Sequence, residues 1–227
     1  MDAEFARREQ LRELMVFLSL IVPSIAISFL AVRQGSLSFA LTALATILRD
    51  LGLISLIAFF LWRNGESSKR IGWSTRKGWR NAFLGVALFV PVFMGAGLLE
   101  QFLRAAGFSA PATPTPRWLT AKGPLEFLLA GVLVVVVAIA EEIIFRGYLI
   151  LRFTALTRNR STAVVLSSIL FALGHGYEGT AGVLTIGFMG LIFALVYLSR
   201  RSLVAPIVMH FLQDFGTIVL LPLLRHR

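Results

Sequence analysis

The stretch PLEFLLAGVLVVVVAIAEEIIFRGYLIL, Pro124 to Leu151, decides the fold. From Phe127 to Ala140 it carries no charge and no alternation of polar and apolar positions, so a helix made from it is apolar all round and suits lipid or a protein interior. A bilayer core of roughly 30 Å needs about 20 apolar residues at the helical rise of 1.5 Å per residue, and this run is long enough. Comparable runs lie at about 14–32, 40–62, 81–103, 182–199 and 203–224, with a shorter one at 162–175. The sequence therefore predicts an all-α, polytopic transmembrane bundle of about seven helices, within limits of six and eight. It reads as one membrane domain, 1–227. The run at 162–175 is too short for a full crossing at ordinary tilt and reads as a short, tilted or partly re-entrant helix.

Composition agrees. Of 227 residues, 57% are hydrophobic and 15% charged, and mean hydropathy is +0.80. With no cysteine there is no disulfide framework, thiolate nucleophile or sulfur-held metal. The net charge of +10 would suggest nucleic acid in a soluble protein, but here the cations lie mostly in loops, so the expected partner is the lipid bilayer and not nucleic acid. No small-residue cleavage site follows the first run, which reads as an uncleaved span. If all seven runs cross, the N-terminus, 63–80, 152–160 and 199–202 share one side and hold 14 Lys and Arg, against 6 on the other. The positive-inside rule then places the N-terminus in the cytoplasm and the C-terminus outside, in what reads as a prokaryotic plasma membrane. Arg104 to Gly123, with Pro111, Pro114 and Pro116, reads as an extended surface loop. Gly187 and Gly190, inside a span, are read as sites of close helix contact.

A charged side chain at the bilayer centre costs on the order of 2.5–3.5 kcal/mol, so such residues persist with partners, water or a function. Arg49 and Asp50 interrupt the second run. As neighbours they leave the helix in different directions and are expected to need other partners and a structural role. Glu100 and Glu126 lie near span ends and read as interfacial. Glu142 and Arg146, four apart, share a helix face and can pair; Glu141 is rotated about 100° away and is left free to exchange protons with water. Phe171 and His175 are four apart, so the ring can wall the imidazole. His210 and Asp214 are also four apart, so the carboxylate can orient the imidazole. His226, the third histidine, sits in a basic tail and reads as solvated.

The order Glu-Glu-x-x-x-Arg, Phe-x-x-x-His, His-x-x-x-Asp on successive late helices resembles the CPBP family of intramembrane proteases. That family includes the type II CAAX prenyl endopeptidases and the abortive-infection and bacteriocin-processing proteins. The resemblance covers about 120–220, read as the catalytic core, and includes Ser202-Leu203-Val204-Ala205-Pro206-Ile207 leading into His210. It implies a membrane-associated protein or peptide substrate. It further implies that Glu141 activates a water, His175 acts as its proton partner, His210 with Asp214 stabilises the oxyanion, and Glu142 with Arg146 organises the site. Two positions depart from the pattern. Asp214 stands where Asn is more usual, and an ionised carboxylate cannot donate to an oxyanion. Arg200-Arg201 stands where relatives often have a small turn.

Peptide hydrolysis needs a nucleophilic water, a base, oxyanion donors and an acid for the leaving amine, and Glu141, His175 and His210 can supply these without a cofactor. Glu141, His175, His210 and Asp214 could instead ligate Zn²⁺, as in a metalloprotease. The sequence has no His-Glu-x-x-His signature. Two other readings remain open: a catalytically silent scaffold of the same fold, and a proton-coupled transporter using the same intramembrane groups.

Overall fold

The computed structural model describes residues 3–31, 38–74, 77–111 and 116–225, and among these the regular structure is helical throughout. Pro114 and His226 fall outside the described residues. The helices are α1 (Ala3–Ala31), α2 (Phe39–Arg63), α3 (Gly78–Ala105), α4 (Gly123–Glu141), α5 (Ile150–Thr157), α6 (Arg160–Leu173), α7 (Gly179–Arg200), α8 (Val204–Asp214) and α9 (Leu221–Arg225). Two π-helical segments, Glu142–Leu149 and Phe215–Leu220, join α4 to α5 and α8 to α9 without a break. Among the described residues, six continuous helical stretches are long and apolar enough to cross a membrane: Arg7–Leu30, Phe39–Arg63, Gly78–Ala105, Gly123–Thr157, Gly176–Arg200 and Val204–Leu224. The chain is an integral membrane protein.

The short run is α6, 14 residues and therefore roughly 21 Å long. Its ends show that it still carries the chain from one end of the bundle to the other. At one end, Arg7 Nη2 donates to the Leu156 carbonyl at 3.2 Å, and Leu203 N–H donates to the Gly72 carbonyl at 3.1 Å. At the opposite end, Ser28 Oγ donates to the Leu173 carbonyl at 3.1 Å and accepts from Gly176 N–H at 3.2 Å. The basic segments grouped by the sequence reading thus do share one end.

Local chemistry sets the helix boundaries. Asn159 caps α6 by accepting from Thr162 N–H at 3.1 Å. Arg201, left-handed at φ 48°, closes α7. Arg200 Nε donates to Asn81 Oδ1 at 2.9 Å, so the unusual Arg-Arg pair ends one helix and ties it to the start of α3. At Gly85 on α3, a Cβ would stand 2.7 Å from the Ala205 carbonyl oxygen, and the missing side chain is what lets α3 and α8 meet.

The main apolar core runs through α1, α2, the first π segment, α6 and α7, with Phe17, Ile57, Tyr148 and Leu149 fully buried. Beside it lies a buried ionic cluster at the basic end. Arg152 Nη2 reaches Glu66 Oε2 at 2.6 Å and Glu13 Oε2 at 3.0 Å. Arg63 and Asn64 each donate to Glu13 Oε1 at 2.7 Å. This cluster fastens α1, the end of α2, the following turn and α5 together.

Candidate active site

The site is built where α4 gives way to its π segment. A π turn holds an extra residue, which shifts the side chains that follow around the helix axis, and such turns are frequent at functional sites. Glu141 is the last residue of α4 and Glu142 the first of the wide segment. Arg146 Nη1 donates to Glu142 Oε1 at 2.7 Å, with both side chains sealed from solvent. The guanidinium lies 4.1 Å above the centre of the Phe171 ring and 5.2 Å from that of Phe193. One carboxylate and two ring faces thus stabilise a cation that water does not reach. Gly190 makes room for it: a Cβ there would stand 3.2 Å from Phe171 Cδ1 and 3.5 Å from Arg146 Nη2.

Glu142 Oε1 lies 2.9 Å from His210 Nδ1. A carboxylate paired with Arg146 is an acceptor, so Nδ1 carries the hydrogen and donates. The other ring nitrogen, Nε2, is turned to Asp214 Oδ2 at 3.5 Å and Glu141 Oε2 at 3.8 Å. His210 therefore joins the first and third motifs. Asp214 flanks it from the next helical turn, as the four-residue spacing leads one to expect.

His175 is held differently. Its Nδ1 lies 2.9 Å from the Phe171 carbonyl oxygen. A carbonyl only accepts, so Nδ1 donates and Nε2 is left for other work. The Phe171 ring stands 5.1 Å from the His175 ring and 6.0 Å, edge-on, from that of His210. Phe171 is thus more than a wall for His175: it also neighbours His210 and supports Arg146.

Glu141, His175, His210 and Asp214 all line one cavity of about 700 Å³. Arg49, Asp50, Tyr177 and Glu178 line it too. Among the described residues no group of three or more His, Asp and Glu side chains is placed to hold a metal ion.

Residues 123–216 match the family model described as "Type II CAAX prenyl endopeptidase Rce1-like". This part of the chain is therefore similar to a family of proteases. The match begins at the first residue of α4 and spans the stretch from Glu141 to Asp214. Comparisons with curated proteins and with solved structures returned no match.

Three sequence expectations change. Arg49 and Asp50 do pair with each other: Arg49 Nε and Nη2 lie 2.9 and 2.8 Å from Asp50 Oδ1. The long arginine side chain folds back across the angle that separates neighbouring positions on a helix. Glu126 sits at the helix start as expected, its Oε2 accepting from Lys122 N–H at 2.6 Å, but Glu100, ion-paired with Arg104, borders the cavity. The loop after α3 is more than surface. Ser109 N–H donates to Thr180 Oγ1 at 2.9 Å, Trp118 packs on Tyr177 with ring centres 5.2 Å apart, and Pro111, Pro116 and Trp118 line the cavity.

Tyr177 and Glu178 went unnoticed in the sequence because they lie in the turn between two apolar runs. A polar stripe on α2, Thr42, Thr46 and Arg49, was readable at helical spacing as a face turned away from lipid.

Proposed function

We propose that this Rce1-like chain is an intramembrane endopeptidase that cleaves a peptide bond of a membrane-associated protein or peptide with a water activated by Glu141 and His175. The observation that carries the reading is that Glu141, His175, His210 and Asp214 border one cavity within the bundle although they come from three separate helical regions.

The hydrogen bonds divide the roles of the two histidines. His175 spends Nδ1 on a backbone carbonyl and keeps Nε2 as the acceptor a proton partner needs. His210 spends Nδ1 on Glu142 and aims Nε2 toward Glu141 and Asp214, where it can donate to an oxyanion. In this scheme Glu141 takes a proton from water as the hydroxide attacks the scissile carbonyl, and His210 Nε2–H stabilises the resulting oxyanion. The proton passes to the leaving amine through Glu141 or His175. Asp214 orients His210 and leaves the donating to it, which accommodates a carboxylate where Asn is usual. Glu142, Arg146 and Phe171 position the machinery. No step requires a metal.

The test is a reconstituted assay of the wild type, Glu141→Ala and His175→Ala against a peptide library, with and without a chelator. Cleavage lost in both variants and indifferent to chelator supports the reading. Cleavage lost on chelation and restored by zinc replaces the carboxylate-held water with a metal-held one. A Glu141→Ala protein that keeps full biological function overturns the protease in favour of a scaffold. We place the N-terminus in the cytoplasm of a prokaryotic cell, on the charge asymmetry between the two ends.

A further inference from the structure

The reaction scheme leaves unused an arginine and an aspartate in the middle of α2. Each is costly to insert into a bilayer, so their placement calls for an account. Asp50 is fully buried, whereas the Arg49 side chain keeps 42% of its surface exposed and lines the cavity. The carboxylate sits behind and the guanidinium in front. Asp50 Oδ1 engages Arg49 through Nε and Nη2, and Nη1 has no hydrogen bond among the described residues. Arg49 also lies close enough to Glu141 for their charges to interact.

An aspartate that grips a guanidinium along its Nε side holds the terminal nitrogens toward the open space, which is the fork that meets a carboxylate. Arg104, another cation on the cavity wall, is already engaged by Glu100 four residues away. On the side of Arg49 formed by α1 and α2 the wall carries uncharged polar groups: Thr42 and Thr46 precede it on the same face of α2, and Ser24 joins them from α1. Such a wall can hydrogen-bond an extended backbone that ends at, or passes, an anionic group.

We propose that Arg49, braced by Asp50, anchors a carboxylate of the substrate on the cavity wall contributed by α1 and α2. This rests on the reading of the cavity as a peptidase site and assigns α2 a part in choosing the substrate. The carboxylate can come from a free peptide C-terminus or from an acidic side chain.

The test separates binding from cleavage. Glu141→Gln in lipid nanodiscs is titrated with three fluorescein-labelled apolar pentapeptides: one with a free C-terminus, one amidated, and one amidated with an aspartate near its end. The same titrations are repeated after adding Arg49→Gln together with Asp50→Asn, which removes both charges and strands neither. A charge-assisted bidentate contact predicts a Kd roughly 10- to 100-fold tighter for a carboxylate-bearing peptide than for the plain amide. That preference should vanish in the paired variant, whose melting temperature confirms folding. The free-terminus peptide alone binding tightly identifies a C-terminal anchor; the aspartate peptide also binding tightly identifies a side-chain one. Equal affinity for all three peptides, or a preference that survives the paired variant, overturns the proposal. In the cleaving wild-type background the paired variant should raise KM for the carboxylate peptide and leave kcat near its original value. A fall in kcat with an altered pH profile and unchanged KM would show that Arg49 acts through Glu141, and would also overturn it. Failure of the wild type to cleave any peptide counts against the peptidase reading, while the binding titrations report on Arg49 separately.

Discussion

Arg146 and Arg152 lie on one unbroken helical run, both are sealed from solvent, and both pair with glutamate, yet their surroundings have opposite character. Around Arg152 the charges close on one another: Glu13 and Glu66 come from two other segments, Arg63 and Asn64 complete Glu13, and none of these residues borders the cavity. Around Arg146 the charges are left open on one side. Glu142 spends Oε1 on both Arg146 and His210 and does not border the cavity, but Glu141 and Asp214 do, and Glu141 Oε2 is buried without a hydrogen-bond partner among the described residues. Buried charge alone is therefore a poor sign of chemistry, since satisfied ion clusters also fasten helices. The informative sign is unspent hydrogen-bonding capacity beside a void.

The comparison is sharpest between Glu141→Ala and Arg152→Ala. Removing Glu141 should reduce turnover roughly 10²- to 10⁴-fold, the range for a general base, and leave the melting temperature in detergent close to that of the wild type. Removing Arg152 takes a buried cation from Glu13 and Glu66, leaving them Arg63, Asn64 and Arg70 as partners, and should cost about 3 kcal/mol of stability, while the protein that remains folded keeps its turnover. Activity and thermal melts on the same preparations check both. A Glu141→Ala protein that melts as low as Arg152→Ala would make the two clusters alike and erase the distinction.

Arg146→Lys probes the boundary between the two kinds of cluster. The lysine keeps the charge for Glu142 but loses the flat guanidinium that lies between Phe171 and Phe193. We expect about a tenfold loss in turnover with a stability loss of about 1–2 kcal/mol, because the lost stacking releases Phe171 and with it both imidazoles. Asp214→Asn should be milder still. If Asp214 only orients His210, the amide serves nearly as well and turnover stays within about tenfold, whereas Asp214→Ala falls further; kcat on a single peptide distinguishes them.

Much of this was legible in the sequence, for physical reasons. Long apolar runs set the helices because lipid accepts nothing else, and the four-residue spacings Glu142/Arg146, Phe171/His175 and His210/Asp214 survive folding because they are local. The cross-helix contact of His210 with Glu142 was not legible, since spacing along one helix carries no information about the facing helix. Nor was the π segment: its wide turns leave no mark in an apolar sequence, yet they begin at Glu142. Arg49 was misjudged for the opposite reason. Its backbone direction was right, but a side chain that long can fold back to its neighbour.

The smallest expected effect tests whether the closed cluster works as a set of charges. Glu66 lies in the turn after α2, outside the spans. Burial pushes its carboxyl up, but the Arg152 hydrogen bond and charge, joined by Arg70, outweigh that and hold it below the ordinary glutamate range. A carboxyl depressed by folding binds protons more readily in the unfolded chain, so its stabilisation is complete above the ordinary glutamate range. It is lost as pH falls through the lower, folded value. The melting temperature of the wild type should therefore exceed that of Glu66→Gln at pH 7, and the gap should narrow steadily as the buffer is taken from about pH 5 to pH 3. A gap that stays constant over that range would mean that Glu66 contributes shape and not charge, and that Arg152 is held by Glu13 alone.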